Sequence, residues 1–347
     1  MTIRDLCKVE DMTIEDKIGQ MLMMGFEGVS LSEEIAELIV KYRIGGVILF
    51  SHNIKTHRQI SILCSQLQEC AGSAGHKVPL FISVDQEGGS VSRFKPPFPQ
   101  FPGGRELGMK GSEELVESNA RRIGMELQRL GINLNLAPVL DVNTNPQNPV
   151  IGDRAFGADP DIVSRLGVAA IKGFQKGGII PVGKHFPGHG DTSVDSHKGL
   201  PVVDHDIDRI RRVELRPFSA AIKSGLNVIM TAHVLYPRID PDYPATLSKS
   251  LLKGIMREDM GFDGVIITDD LNMKAITENY DFRDVVVLAV NAGVDILLIC
   301  HDREMGVRGY KELMDEVEKG NISVERVNES VRRIVRLKKS IVNTGWF

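Results

Sequence analysis

The chain has 347 residues, 42% of them hydrophobic, and carries 42 basic against 46 acidic side chains for a formal charge of −4. That length suits one large α/β barrel or two smaller domains, with apolar content enough for a sizeable core. Well-mixed charge without a basic stripe excludes a nucleic-acid or anionic-membrane binder, and one Trp with five Tyr argues against wide aromatic stacking platforms.

Eight short apolar runs follow in chain order, at 20–26, 46–50, 79–85, 134–142, 179–186, 227–234, 263–271 and 295–300. Gly, Pro or Asp bounds each of them. All but the amphipathic first read as strands buried on both faces, as in a parallel sheet. Helical spacing fills the gaps. Ile35, Leu38, Ile39 and Tyr42 recur at i, i+3, i+4 and i+7, with Ser30 and Glu33 as a prospective capping box and Gly45 as the stop. Val116, Ala120, Ile123, Leu127 and Leu130 form a second stripe ending at Gly131, and 206–224, 248–259, 281–291 and 323–342 read similarly. Eight β–α alternations predict the α/β class, as a (β/α)8 TIM barrel in a single domain over 1–347. A doubly wound open sheet is the runner-up.

Cys7, Cys64, Cys70 and Cys300 are scattered without a CxxC pair, the pattern of inert reduced thiols in a cytoplasmic enzyme. Met1-Thr2-Ile3-Arg4-Asp5 lacks the basic-then-apolar run of a secretory leader, and no apolar stretch reaches the ~18 residues of a membrane span. The expectation is a cytoplasmic protein, extracytoplasmic only if a leader precedes this sequence, with no membrane and no nucleic-acid partner. A monomer is expected, although no feature of the sequence fixes the oligomeric state.

In such barrels chemistry collects at the C-terminal ends of strands. Here those ends carry Asp85-Gln86-Glu87 followed by Arg93, then Asp141 and Asn143, Lys184-His185, Thr231-Ala232-His233 and Thr268-Asp269-Asp270. Asp153-Arg154 lies in a Gly-flanked loop after the fourth run. Each also has a structural reading. An Asp at a strand end commonly caps the next helix, so one of Asp269 and Asp270 can cap while the other acts. His233 alone reads as a packed core residue. His301 reads as structural or solvent-facing, and His52, His57, His76 and His205 as surface. Lys184, after a buried strand, must be paired, because an unpaired buried charge is costly.

The stretch 184–197 is the densest in chemistry. Gly183, Gly188 and Gly190 keep it from being a helix interior and mark an active-site loop. His185, His189, Asp191, Asp195 and His197 are clustered enough for a zinc or two-metal site, but their spacing fits no common ligand motif. No metal and no cofactor is expected.

Lys184-His185-Phe186-Pro187-Gly188-His189-Gly190-Asp191 with Asp195-Ser196-His197 resembles, nearly residue for residue, the signature of the N-acetylglucosaminidase branch of glycoside hydrolase family 3. The segment 13–21, Asp85-Gln86-Glu87-Gly88-Gly89 with Arg93-Phe94, Ile151-Gly152-Asp153-Arg154-Ala155-Phe156-Gly157, and Thr268-Asp269-Asp270-Leu271-Asn272-Met273 stand in family order around it. The resemblance implies a retaining exo-β-N-acetylglucosaminidase acting on GlcNAc-MurNAc fragments of peptidoglycan, in cell-wall recycling. It maps the nucleophile to Asp269 and the acid/base to His197, oriented by Asp195. It maps sugar contacts to Asp85, Arg93, Arg154, Lys184 and His185. Gln86 stands where many relatives have His, which leaves fine specificity open. Multi-domain β-glucosidases of the family take the acid/base from a further domain; a chain ending at Phe347 is expected to rely on the dyad in its loop.

The residue types suit that chemistry. A carboxylate forms a covalent glycosyl-enzyme while a proton donor on the other face assists the leaving oxygen and later activates water. Imidazole, with an ordinary pKa of about 6.5, can do both. His189 competes for the role, but the glycines on both sides of it suggest a structural hydrogen bond. The rivals are a phosphorylase of the same family, a metal-dependent barrel hydrolase, and a catalytically dead sugar-binding barrel. Intact Asp195, His197 and Asp269 disfavour the last.

Overall fold

Parallel strand pairing organises the chain, which a computed structural model describes over residues 8–342; Met1–Asp5 and Cys7 lie outside them. The strands are β1 (Leu22–Gly25), β2 (Gly46–Leu49), β3 (Phe81–Val84), β4 (Leu134–Asn135), β5 (Ile180–Pro181), β6 (Gly183–Phe186), β7 (Val228–Thr231), β8 (Val265–Ile267) and β9 (Leu297–Ile299). One sheet runs β9-β1-β2-β3-β4-β5 and a second β8-β7-β6, all parallel. β5 and β6 are halves of one continuous segment. Parallel bridges also join Val139 to Lys184 and Ile267 to Ile296, and the Asp295 and Ile296 amides donate to Ile266 O at 2.8 and 3.0 Å. An α/β fold results, and every strand of these two sheets but β5 is buried throughout, with a short antiparallel hairpin of Gln86–Gly88 and Val91–Ser92 beside them.

The eight predicted runs each contain a strand, and helices fill the intervals. Two helices, Glu113–Arg129 and Pro160–Lys176, pack closely because their contact is glycine: a Cβ on Gly173 would stand 2.4 Å from Glu117 O. The carboxyl ends of the strands all open to one side, and there the polar residues collect.

Local details depart from the sequence reading in four places. Ser32, not Ser30, caps the helix Glu33–Val40 by accepting from Ile35 N. The expected helix 206–224 is two helices, Ile207–Arg212 and Leu215–Lys223. Pro217 falls in the first turn of the second, where a missing N–H costs nothing; inside one long helix it would break a hydrogen bond. The segment Ser250–Asp259 is a π-helix. Not all the supposed surface histidines are free. His76 is partly buried, its Nε2 2.8 Å from Ile39 O, and burial pushes its pKa down to about 4. His57 is exposed, as expected, with its ring 4.1 Å from that of Phe98. Cys64, Cys70 and Cys300 are free thiols. Among the described residues no helix is long and apolar enough to cross a membrane.

Candidate active site

A cavity of about 190 Å³ opens at the carboxyl ends of the strands. Asp85, Arg93, Arg154, Lys184, His185, His197 and Asp269 line it, seven of the eight residues singled out from sequence; Asp195 stands behind His197. A roomier groove of about 590 Å³ lies nearby, between the helices Phe282–Ala292 and Arg303–Glu318. It is open to solvent, and its Asp281 and Asp302 cap those helices, so the smaller cavity is the better candidate for chemistry.

One wall is an ionic cluster. Lys184, only 2% exposed, donates to Asp85 Oδ1 at 2.8 Å and lies 2.7 Å from Glu87 Oε1. Arg93 Nη2 holds Asp85 Oδ2 at 3.0 Å, and Arg154 grips Glu87 through two bonds of 2.9 and 2.7 Å. Burial opposes ionisation of Glu87, but Arg154 and Lys184 overcome it and hold its pKa at about 2. Asp85 is likewise held below the usual carboxylate range, against burial, by Lys184 and Arg93. Three cations thus share two carboxylates. A carboxylate has about four acceptor positions, so Asp85 retains capacity for further donors. Arg93 Nε is buried and unpartnered, a further donor for a ligand.

His185 is oriented from behind. Its Nδ1–H donates to Asp141 Oδ2 at 2.7 Å, which turns Nε2 toward the cavity. Asp141 is fully buried and also accepts from His189 N at 2.6 Å. Burial raises the cost of its charge, yet His185 and His189 keep its carboxyl below the ordinary range.

The loop after β6 divides into a fixed half and an open half. Gly190 approaches β4's extension so closely that a Cβ would lie 1.9 Å from Val142 O. Asn145 and Asn148 bind Thr192 O and His189 O at 3.0 and 2.8 Å, and Thr144 Oγ1 donates to Asp191 Oδ1 at 2.8 Å. His205, expected at the surface, closes this half through Asp191. His189 is engaged at both ring nitrogens, Nδ1 with Thr192 Oγ1 at 2.8 Å and Nε2 with Ser196 Oγ at 3.0 Å. Burial pushes its pKa down to about 4. Beyond it, His197 is 64% exposed, and both its Nδ1 and its backbone N–H bond Asp195 Oδ1, at 2.8 and 2.9 Å. Of the five residues weighed as metal ligands, His189 and Asp191 are bonded through both ring nitrogens and both carboxylate oxygens, Asp195 holds His197, and His185 and His197 each bond through Nδ1 alone. Among the described residues, the carboxylates close enough to share an ion are Glu312, Asp315 and Glu316, on the outer helix Arg303–Glu318.

Asp269 and Asp270 separate cleanly. Asp270 Oδ1 accepts from Cys300 N at 2.9 Å and Asn272 N at 3.1 Å, tying the turn after β8 to β9. Burial pushes its pKa up. Among the described residues Asp269 accepts only from Asp270 N, at 2.8 Å, and it faces the cavity. Burial works against its charge, but His185 and the Asp270 N–H keep its carboxyl below the usual range. An ionised carboxylate with free lone pairs in a cavity is the form a nucleophile requires.

Sequence reasoning passed over Glu87 and Asp141 as site residues, although both stood at predicted strand ends. It also passed over the rim: Phe50 carries His301 at 4.6 Å and His52 at 5.8 Å between ring centroids, with the Arg93 guanidinium 5.2 Å from its ring. Phe50 and His301 line the cavity mouth.

The glycosyl hydrolase family 3 N-terminal domain model matches residues 13–337. Beta-hexosaminidase A of Pseudoalteromonas piscicida is 38% identical, over 95% of this chain and 62% of that protein. A beta-hexosaminidase of Idiomarina loihiensis is also 38% identical, over 83% of this chain and 86% of its own. Among solved structures, a glycoside hydrolase family 3 beta-N-acetylglucosaminidase from Paenibacillus sp. str. FPU-7 superposes with a TM-score of 0.93 at 43% identity, covering 95% of this chain and 63% of that one. Beta-N-acetylhexosaminidase from Beutenbergia cavernae gives 0.89 at 30% identity, covering 94% and 99%. The chain thus spans under two thirds of the Pseudoalteromonas and Paenibacillus proteins and nearly all of the Beutenbergia one. With a family model matched over almost its full length and the fold of these proteins, the chain belongs to glycosyl hydrolase family 3.

Proposed function

We propose that the protein is a retaining exo-β-N-acetylglucosaminidase, a β-N-acetylhexosaminidase whose single catalytic domain is a closed (β/α)8 barrel. The bridge between Ile267 and Ile296 supports closure, since it joins the free edges of the two sheets. One observation carries the activity: a single cavity holds an unshared carboxylate, Asp269, together with the His197–Asp195 pair and a cationic wall around Asp85.

In this reading Asp85, Arg93, Arg154, Lys184 and His185 bind the terminal sugar through charge-assisted hydrogen bonds. Asp269 attacks the anomeric carbon. His197, with Asp195 offsetting its positive charge, gives a proton to the departing oxygen. The same imidazole then takes a proton from water as the glycosyl-enzyme is hydrolysed. A cavity of about 190 Å³ is small beside the ~300–1,000 Å³ of drug-sized sites, which supports removal of one terminal sugar. The leaving group is proposed as the N-acetylmuramic residue of peptidoglycan fragments, on the strength of the resemblance. Free thiols at Cys64, Cys70 and Cys300 support a reducing, cytoplasmic setting.

The test is hydrolysis of a chromogenic β-GlcNAc glycoside, with and without EDTA and phosphate, with the anomer of the product determined. Release of the β-anomer, indifferent to EDTA, is expected. A GlcNAc-1-phosphate product would make the protein a phosphorylase. Activity lost to EDTA and restored by Zn²⁺, or an inverted product, would overturn the mechanism. Asp269→Ala should abolish turnover, and a fluorinated glycoside with a good leaving group should label Asp269; a label on Asp270 refutes the assignment.

A further inference from the structure

His233, at the end of β7, is fully buried and bonded at both ring nitrogens. Nε2 lies 3.0 Å from the Asp270 carbonyl oxygen and Nδ1 2.7 Å from Thr246 Oγ1. A carbonyl can only accept, so Nε2 carries the proton. Burial disfavours the imidazolium and pushes the pKa of the ring down, even with Asp269 nearby. The ring is then neutral and its Nδ1 is an acceptor. The Thr246 hydroxyl has two acceptors in reach, Nδ1 at 2.7 Å and the Ala232 carbonyl at 3.1 Å, and the shorter contact assigns its hydrogen to Nδ1. Its own oxygen is free to accept from Thr231 Oγ1, 2.8 Å away. The hydroxyls of Thr231 and Thr246 thus set the tautomer in which His233 donates to Asp270.

The acceptor sits on the turn that carries Asp269. Asp270 is fixed at three points: its N–H donates to Asp269 Oδ1, its carboxylate is tied to Cys300 N and Asn272 N, and its carbonyl is tied to His233. The first bond sets the Asp269 carboxylate, the second secures the turn to β9, and the third secures it to β7. We propose that His233 is a positioning residue for the nucleophile: its Nε2–H pins the Asp270 carbonyl and so holds the Asp269 carboxylate in its attacking orientation. The inference rests on the assignment of Asp269 above. The imidazole touches no substrate in this role and transfers no proton.

The role separates from packing by comparing variants of the full chain. His233→Gln keeps an N–H donor near the Nε2 position; His233→Leu fills the space without one. The first readout is the rate at which a fluorinated glycoside with a good leaving group labels Asp269, which needs no proton from His197. The second is the Kd of GlcNAc. His233→Leu should label on the order of 100-fold more slowly, as misplacement of a reacting group by ~1 Å does. His233→Gln should recover to within about tenfold of the wild type, and the Kd should move less than about threefold in either variant. Labelling by the Leu variant at the wild-type rate overturns the proposal, as does a Gln variant as slow as Leu. If His233→Leu does not fold, Thr246→Val leaves the imidazole in place but removes the hydroxyl that sets its tautomer. It should label about tenfold more slowly; an unchanged rate refutes the role. A wild-type label on a residue other than Asp269 overturns the nucleophile assignment itself, and that failure is visible before any variant is made.

Discussion

Replacing Lys184 with Met should expose how far the ionic wall proposed to bind the sugar depends on one buried ammonium. Nζ lies 2.8 Å from Asp85 Oδ1 and 2.7 Å from Glu87 Oε1, so those oxygens are no more than about 5.5 Å apart. Their mutual repulsion, about 3 kcal/mol at ~5.5 Å and an effective dielectric near 20, is present in the wild type too, where Lys184 offsets it, and the variant loses that offset. That is close to the ~3–5 kcal/mol lost when one partner of a buried ion pair is removed. Arg93 and Arg154 remain, so both carboxylates keep one cation and the fold should survive. The repulsion also predicts a change in pH dependence. About 3 kcal/mol corresponds to roughly two pK units, so a Glu87 carboxyl now held at about 2 should move up to around 4. In the wild type, stability from this depressed group is present above the ordinary carboxylate pKa and lost only as pH falls toward 2. In Lys184→Met the deficit should be largest near pH 7 and shrink as pH approaches 4, where one carboxylate takes up a proton. Urea unfolding at pH 7 and pH 4.5, with Glu87→Gln/Lys184→Met as the relieved double variant, measures both. A loss under ~1 kcal/mol at pH 7, or a double variant no more stable than Lys184→Met, refutes the reasoning.

Loss of His197 should cripple glycosides with poor leaving groups far more than activated aryl glycosides, because only the former need the proton. Asp195→Asn should show the same pattern more mildly; if His189→Ala shows it and His197→Ala does not, the roles are exchanged. Burial lowers the pKa of His76 and His189 to about 4, so the unfolded chain takes up protons there first and stability should fall as pH drops from about 6.5 to 4. His76→Phe should flatten that decline, and a pH–stability curve identical to the wild type contradicts the claim. Lys338, fully buried, donates to Gln20 Oε1 and Gly45 O at 2.6 Å each, and burial pushes its pKa well below normal. The folded chain then gives up a proton that the unfolded chain holds below about pH 10. Thermal stability should therefore rise from pH 7 to 9.5, and Lys338→Met should remove that slope.

The strands and the residues at their ends were legible because both signals are local. An apolar run closed by Lys184-His185 or Asp269-Asp270 states its burial and its polar terminus within ten positions. The partners were not legible. Lys184 reaches Asp85 across 99 positions and Arg154 reaches Glu87 across 67. Those contacts exist because β3 and the β5–β6 segment flank β4, a neighbourhood that pairing alone determines. The need of Lys184 for an anion could be argued from desolvation, but not that one ammonium serves two carboxylates. The histidines misplaced at the surface show the same limit. His205 meets Asp191 and His76 meets Ile39 O, each from another element; His57 is exposed, as expected. Ser30 and Ser32 both precede a helix start with Glu behind, and only the path of the backbone selects Ser32.

Two histidine–carboxylate pairs share this cavity, with N···O distances of 2.7 and 2.8 Å, and their surroundings assign them different work. His185 stands on Asp141, which is fully buried and already accepts from the His189 backbone. Its ring is 6% exposed on the side chain, so water reaches it only through the cavity itself. In the proposed reading a bound sugar fills that route. Such a histidine can hold a hydroxyl in a fixed place but has no path by which to renew its proton. His197 stands on Asp195 at the open half of the loop, 64% exposed. Its Nδ1 bonds the carboxylate, and its Nε2 remains within reach of solvent. Retention requires one group to give a proton in the first half-reaction and take one from water in the second. Between pairs alike in length, access to water favours the exposed histidine for that exchange and the buried one for binding.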